Sequence, residues 1–141
     1  MKRTHAIAAA LLPIAMISAC GAGSDQPPRT EPVKSFVLQA DSERIFEAVR
    51  QTGTVRKVAT VSLSTAKFVV QVDCVGSKGK ISVSVGTTVS VGTCSTKAGL
   101  GSHTLWSLED KLPKHLTVVV TTDPGNRWSV AVDAGTHGSM N

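Results

Sequence analysis

Between residues 58 and 133, apolar and polar side chains alternate almost throughout with a period of two, the pattern of strands that bury one face. Ala59, Val61 and Leu63 alternate with Val58, Thr60, Ser62 and Ser64, and Phe68, Val70, Val72 and Cys74 alternate with Val69, Gln71 and Asp73. Ile81, Val83 and Val85 resume the pattern opposite Ser82 and Ser84, after a turn at Val75-Gly76-Ser77-Lys78-Gly79. A second turn around Gly86-Thr87-Thr88 leads to Val89-Ser90-Val91 and Cys94. Leu116 to Thr122 is a nearly continuous apolar run, and Arg127 to Asp133 puts Trp128, Val130 and Val132 on one face. Asp123-Pro124-Gly125-Asn126 lies between them, with proline presetting the second turn position and glycine supplying a positive φ at the third, which predicts a hairpin of the last two strands. Six or so strands at this spacing predict a compact antiparallel β-sandwich or jelly roll.

Two stretches depart from the alternation. Asp41-Ser42 reads as a cap for a short helix over 43–51, with Ile45, Phe46 and Val49 on one stripe and Gly53 as its stop, placed as a lid over one end of the sandwich. Ser95 to Ser102 carries Gly99 and Gly101 and reads as a loop, and Pro113 argues against a long element between His103 and Leu116.

The first twenty residues belong to another kind of segment. Lys2 and Arg3 begin a cationic start, Ala6 to Ile17 form an apolar run broken only by Pro13, and Ile17-Ser18-Ala19-Cys20 follows. The run is too short to span hydrocarbon, which takes roughly 20 residues. The tetrapeptide resembles the lipobox of bacterial lipoproteins, in which the cysteine receives a diacylglyceryl group and becomes the first residue. The resemblance implies a signal peptide over 1–19 and acyl chains on Cys20. It places the protein at the cell membrane, lipid-anchored on its extracytoplasmic face. Residues 20–35, rich in glycine, proline and polar side chains, then read as lipidated cysteine and flexible tether, 36–135 as the β-sandwich domain and 136–141 as a disordered tail. With Lys2 and Arg3 removed, the formal charge falls from +5 to +3, too mild a balance to point to nucleic acid.

Once Cys20 is assigned to lipid, Cys74 and Cys94 remain as an even pair, expected to form a disulfide in an oxidising compartment. There is no Cys-x-x-Cys, and His103, His115 and His137 fall at no ligand spacing relative to either cysteine, so neither a redox pair nor a metal site is expected. The bond is expected to staple the outer ends of neighbouring strands around a hairpin. The run Val72-Asp73-Cys74-Val75-Gly76-Ser77-Lys78-Gly79-Lys80-Ile81, with Cys94 and Gly125-Asn126-Arg127-Trp128 after it, is similar to a group of small actinobacterial lipoproteins. These carry a β-sandwich behind a polar tether, a Cys-x-Gly-x-Gly-like turn and a late strand tryptophan. The turn is one residue longer here. The resemblance implies the fold and carries no settled activity.

Catalytic motifs are absent from the sequence. Gly99-Leu100-Gly101-Ser102-His103 lacks the spacing of a nucleophile elbow, and Gly76-Ser77-Lys78-Gly79-Lys80 lacks the four-residue gap and the Lys-Ser/Thr ending of a phosphate loop. No catalytic residue, metal ligand or cofactor is assigned. Trp128 is in phase with the core, whereas Trp106 lies beside the glycine-rich loop. Trp106, His103, Lys78 and Arg127 are therefore the candidate binding residues. Lys78, Lys80, Lys97, Lys111, Lys114 and Arg127 fall in turns and loops, where they are either scattered and solvated or gathered at one end. The expectation is a membrane-anchored, non-catalytic binding or accessory module whose partners are the membrane itself, through acyl chains, and an envelope protein or anionic polymer. The alternative is an envelope-acting enzyme that assembles His103, His115 and Asp110 from distant loops.

Overall fold

The computed structural model describes residues 27–38, 40–62, 66–77, 79–109 and 113–135. Eight strands follow in chain order: β1 (Ser42–Thr52), β2 (Val55–Thr60), β3 (Ala66–Val75), β4 (Lys80–Val85), β5 (Thr88–Thr93), β6 (Ser102–Glu109), β7 (His115–Thr122) and β8 (Arg127–Gly135). They form two four-stranded sheets, β1-β8-β3-β6 (sheet A) and β2-β7-β4-β5 (sheet B), with every pairing antiparallel. The first strand pairs with the eighth, the second with the seventh, the third with the sixth and the fourth with the fifth. That is one long hairpin rolled over on itself, the jelly roll among the two architectures expected.

The period-two pattern is used as predicted. Phe68, Val70, Val72 and Cys74 of β3 and Trp128, Val130, Val132 and Ala134 of β8 meet Ile81, Val83 and Val85 of β4 and Leu116, Val118 and Val120 of β7 in one core, all nearly inaccessible to water. Trp128 is fully buried, and its indole N–H donates to the carbonyl of Gly53 at 2.9 Å, so its polar edge is satisfied.

Three expectations are corrected. The stretch 43–51 is strand β1, at an edge of sheet A, not a helical lid. Its register against β8 shifts between Arg44 and Phe46 and again between Ala48 and Gln51. Two such irregularities break strict alternation, so that neighbours Ile45 and Phe46 both reach the core and the spacing imitates a helical stripe. The last two strands are not a hairpin: Asp123-Pro124-Gly125-Asn126 crosses between sheets, from β7 in B to β8 in A. A tight turn signal reads the same for both connections. The ambiguous stretch after His103 is β6, at the other edge of sheet A.

The Cys74–Cys94 disulfide is present, with Cα atoms 4.6 Å apart. It joins the end of β3 in sheet A to the residue that follows β5 in sheet B, so it ties sheet to sheet and not neighbouring strands. Replacing Cys74 by Ser is expected to lower stability by about 3 kcal/mol, the chain-entropy cost of opening a loop of this size. The double replacement of Cys74 and Cys94 should cost no more than either single one. Denaturant unfolding of the three variants checks this, and additive losses would contradict the pairing.

Candidate functional site

The outer face of sheet A carries buried polar groups where a solvated face would be expected. Asp73, Ser129 and Asp133 on β3 and β8 have no accessible surface, and Val69 and Ala131 of the same face are equally buried. What covers them is the segment 27–38, most of which reads in the sequence as tether. Arg29 donates through both terminal nitrogens to Asp73, at 2.8 and 2.9 Å, and its backbone N–H reaches the Thr96 carbonyl at 2.6 Å. Val33 follows: its N–H donates to Asp73 Oδ2 at 2.8 Å and its carbonyl accepts from Ser129 Oγ at 2.7 Å. Glu31 pairs with Arg127. Further along, Gln71 Nε2 donates to the carbonyl of Val37 and to Asp133 Oδ2, while Arg44 pairs with Asp133 and reaches the carbonyl of Phe36.

The packed domain therefore begins by Arg29, not at residue 36. A polar, proline-rich composition looks alike whether its groups bond to water or to a polar sheet face, so composition alone does not tell a strap from a tether. Asp73 is the centre of its anchorage. Burial pushes its carboxyl up, but the Arg29 guanidinium, the Val33 N–H and the Ser102 hydroxyl, at 2.8 Å, more than offset that and hold it below the usual carboxylate range. Gly101 closes the seat. A Cβ there would lie 2.0 Å from the Cys74 carbonyl and 3.2 Å from Arg29 Nη2, so only glycine lets the loop approach.

The candidate binding residues are not brought together. Arg127 is taken by Glu31, at the start of β8. His103 on β6 stands opposite Val72, and its Nε2 lies 3.1 Å from Ser90 Oγ of β5, a contact between the edges of the two sheets. Gly92 makes room for the ring, since a Cβ at that position would lie 2.1 Å from His103 Cε1. Trp106 lies on β6 opposite Val69 rather than in a loop, and Lys78 falls outside the described residues. His103 lies near the disulfide end of sheet A and His115 at the far end of sheet B, beside Thr60; Asp110 falls outside the described residues. The enzyme alternative required these three to converge, and His103 and His115 do not. Among the described residues no group of three His, Cys, Asp or Glu is placed to hold a metal ion.

Burial lowers the His103 pKa from the ordinary 6.5, because the charged ring loses water between the sheets. The unfolded chain then binds the extra proton first, so stability is whole above pH 6.5 and declines as pH falls through and below that value. A His103→Gln variant should flatten this limb of the stability curve, read as the midpoint of urea unfolding between pH 5 and 8.

The arrangement defines a disulfide-closed, eight-stranded jelly roll with one face sealed by its own N-terminal strap. The sequence matches no protein-family model and no curated protein. Among solved structures it is similar to the CBM36-1 domain of a multidomain xylanase from the hindgut metagenome of Trinervitermes trinervoides, at 8% identity and a TM-score of 0.39, over 77% of this chain and 92% of that one. A likeness at that level says nothing of a ligand.

Proposed function

We propose that the protein is a bacterial lipoprotein, held by acyl chains on Cys20 at the extracytoplasmic face of the cell membrane, whose jelly-roll domain is a non-catalytic binding or accessory module. The observation that carries the module reading is how the buried ionisable groups are spent. Asp73 and Asp133 are each engaged by an arginine and by the strap or its neighbours, as structural groups. The anchoring reading rests on Ile17-Ser18-Ala19-Cys20 behind a short apolar run. An envelope protein or an anionic polymer is the partner class that fits this location. The surface open to it includes the outer face of sheet B, where Val58, Val89 and Val91 are more than half exposed.

Cys20→Ala is expected to leave an unprocessed chain without acyl mass, and crosslinking in intact cells should lose the neighbours of the acylated protein. Unchanged acylation and partitioning in that variant would overturn the anchoring. A neighbour that persists on the acylated protein identifies the partner, whereas substrate turnover by the purified chain would overturn the module.

A further inference from the structure

The strap fixes which end of the domain faces the lipid anchor. It runs from Arg29, at the Thr96 and Asp73 end, along sheet A to Ser42 beside Gly135 at the opposite end. The chain therefore enters at the end that holds the disulfide, the β5–β6 loop and the β7–β8 connection. Cys20 and Arg29 are nine residues apart, a reach of at most about 30 Å when fully extended. Had the whole stretch to residue 35 been free, the reach would be about 50 Å and the orientation undefined.

The entering end has the chemistry of an interface. Arg29 lies against Gly101, so the first anchored residue of the strap touches the base of the loop tipped by Leu100. Leu100 is 63% exposed, follows exposed Ala98 and Gly99, and its N–H closes a turn onto the carbonyl of Lys97 at 3.3 Å. Lys97 and Lys80 are exposed and, among the described residues, have no carboxylate partner. Of the acidic groups at this end, Glu31 pairs with Arg127 and Asp73 with Arg29, while Asp123 is exposed and accepts from the backbone N–H of Lys80. At the opposite end the exposed charges are of both signs, Asp41 and Glu43 with Lys67 and Lys114.

We propose that the disulfide end of the jelly roll seats on an anionic bilayer, with Leu100 in the headgroup boundary and Lys97 and Lys80 among the phosphates, an inference that rests on the anchored reading above. An apolar tip flanked by lysines is the combination that binds such a surface, the apolar side chain leaving water while each nearby cation is drawn to the negative leaflet. The domain then stands upright, with Asp41, Glu43 and the β4–β5 turn turned away from the membrane.

The test uses the mature acylated protein in vesicles with and without phosphatidylglycerol. An environment-sensitive fluorophore is placed on Leu100→Cys or, at the far turn, on Thr87→Cys; with Cys20 acylated and Cys74–Cys94 bridged, the new thiol alone takes the label. Quenching by headgroup-proximal spin-labelled lipid should be several-fold greater at position 100 than at 87, and only with the anionic lipid. Lys97→Glu changes two charge units and should shift the seated-to-free ratio about thirtyfold toward free. Because the label itself is apolar, deuterium uptake of residues 95–101 in the unlabelled protein provides a second reading, and it should fall on anionic vesicles. Equal quenching at both positions, or a label at 100 that stays in water, overturns the seating. The intact mass separates the two readings: an unacylated chain overturns the anchoring and the seating with it, whereas an acylated chain with position 100 in water overturns the seating alone.

Discussion

Asp73→Ala is expected to destabilise the domain by about 3 kcal/mol or more, the cost of leaving one member of a buried ion pair without the other. Its carboxylate has no accessible surface and accepts from Arg29, Val33 and Ser102. The Arg29 side chain keeps 22% of its surface, so it can escape toward water by undocking, which puts the loss at the lower end of the range for such pairs. The variant should therefore show two signatures: a lower unfolding midpoint and rapid deuterium uptake over residues 29–37 at temperatures where β3 and β8 remain protected. A midpoint that drops while the strap stays protected would mean that Asp73 acts on the sheet alone. Acid reads the same group. A carboxyl with a lowered folded pKa adds stability that is whole above its unfolded value and is lost progressively as pH falls from there through the lower folded value. Asp73→Asn should remove this acid limb and leave the one that His103 produces below pH 6.5.

Trp128→Ala should cost about 3–5 kcal/mol, as for other large aromatic deletions in a closed core. Trp128 stands opposite Cys74 in the β8–β3 register, so the void opens in the core beside the disulfide. Against a total of roughly 5–15 kcal/mol for a domain of this kind, the variant would be near the folding threshold at 37 °C. Trp128→Phe separates the two roles of the side chain. It keeps most of the volume but leaves the Gly53 carbonyl without its donor, a loss of about 1–2 kcal/mol. Calorimetry of the two variants gives both values, and equal losses would mean that packing around the ring counts for little.

Much of the sheet structure was legible because burial on one face imposes a period of two. Phe68 to Cys74, Ile81 to Val85 and Trp128 to Val132 fall into the core in the expected phase. The cysteine pair was legible from its even number and from the oxidising compartment that the lipobox resemblance implies. What the alternation does not carry is which strand pairs with which, since a connection between sheets and a hairpin use the same turn residues at Asp123-Pro124-Gly125-Asn126. β1 was hidden by its two register shifts, which give Ile45, Phe46 and Val49 helical spacing. The strap was hidden for a different reason. Its bonds run from backbone groups and Arg29 to residues some forty or more positions away, and a polar segment bears no mark of a polar face that will receive it. Asp73 was the available signal: an aspartate late in an otherwise mostly apolar strand, next to a core cysteine, calls for a cation from elsewhere in the chain.

The rolled-hairpin topology also sets an order of events. Only β4 and β5 are joined by a short connection in one sheet, at Gly86 and Thr87, and every later pair closes a longer loop around them. Loop-closure entropy makes the central hairpin the place to start and the β1–β8 pairing the step to finish. Yet β8, the last strand made, lies inside sheet A between β1 and β3. Until it arrives, nothing joins β1 to the β3–β6 pair, and the strap has no Ser129 to hold. A chain released N-terminus first would thus wait, half-assembled, for its final strand. Substitutions in β4 and β5 should slow refolding, while those under the strap should speed unfolding.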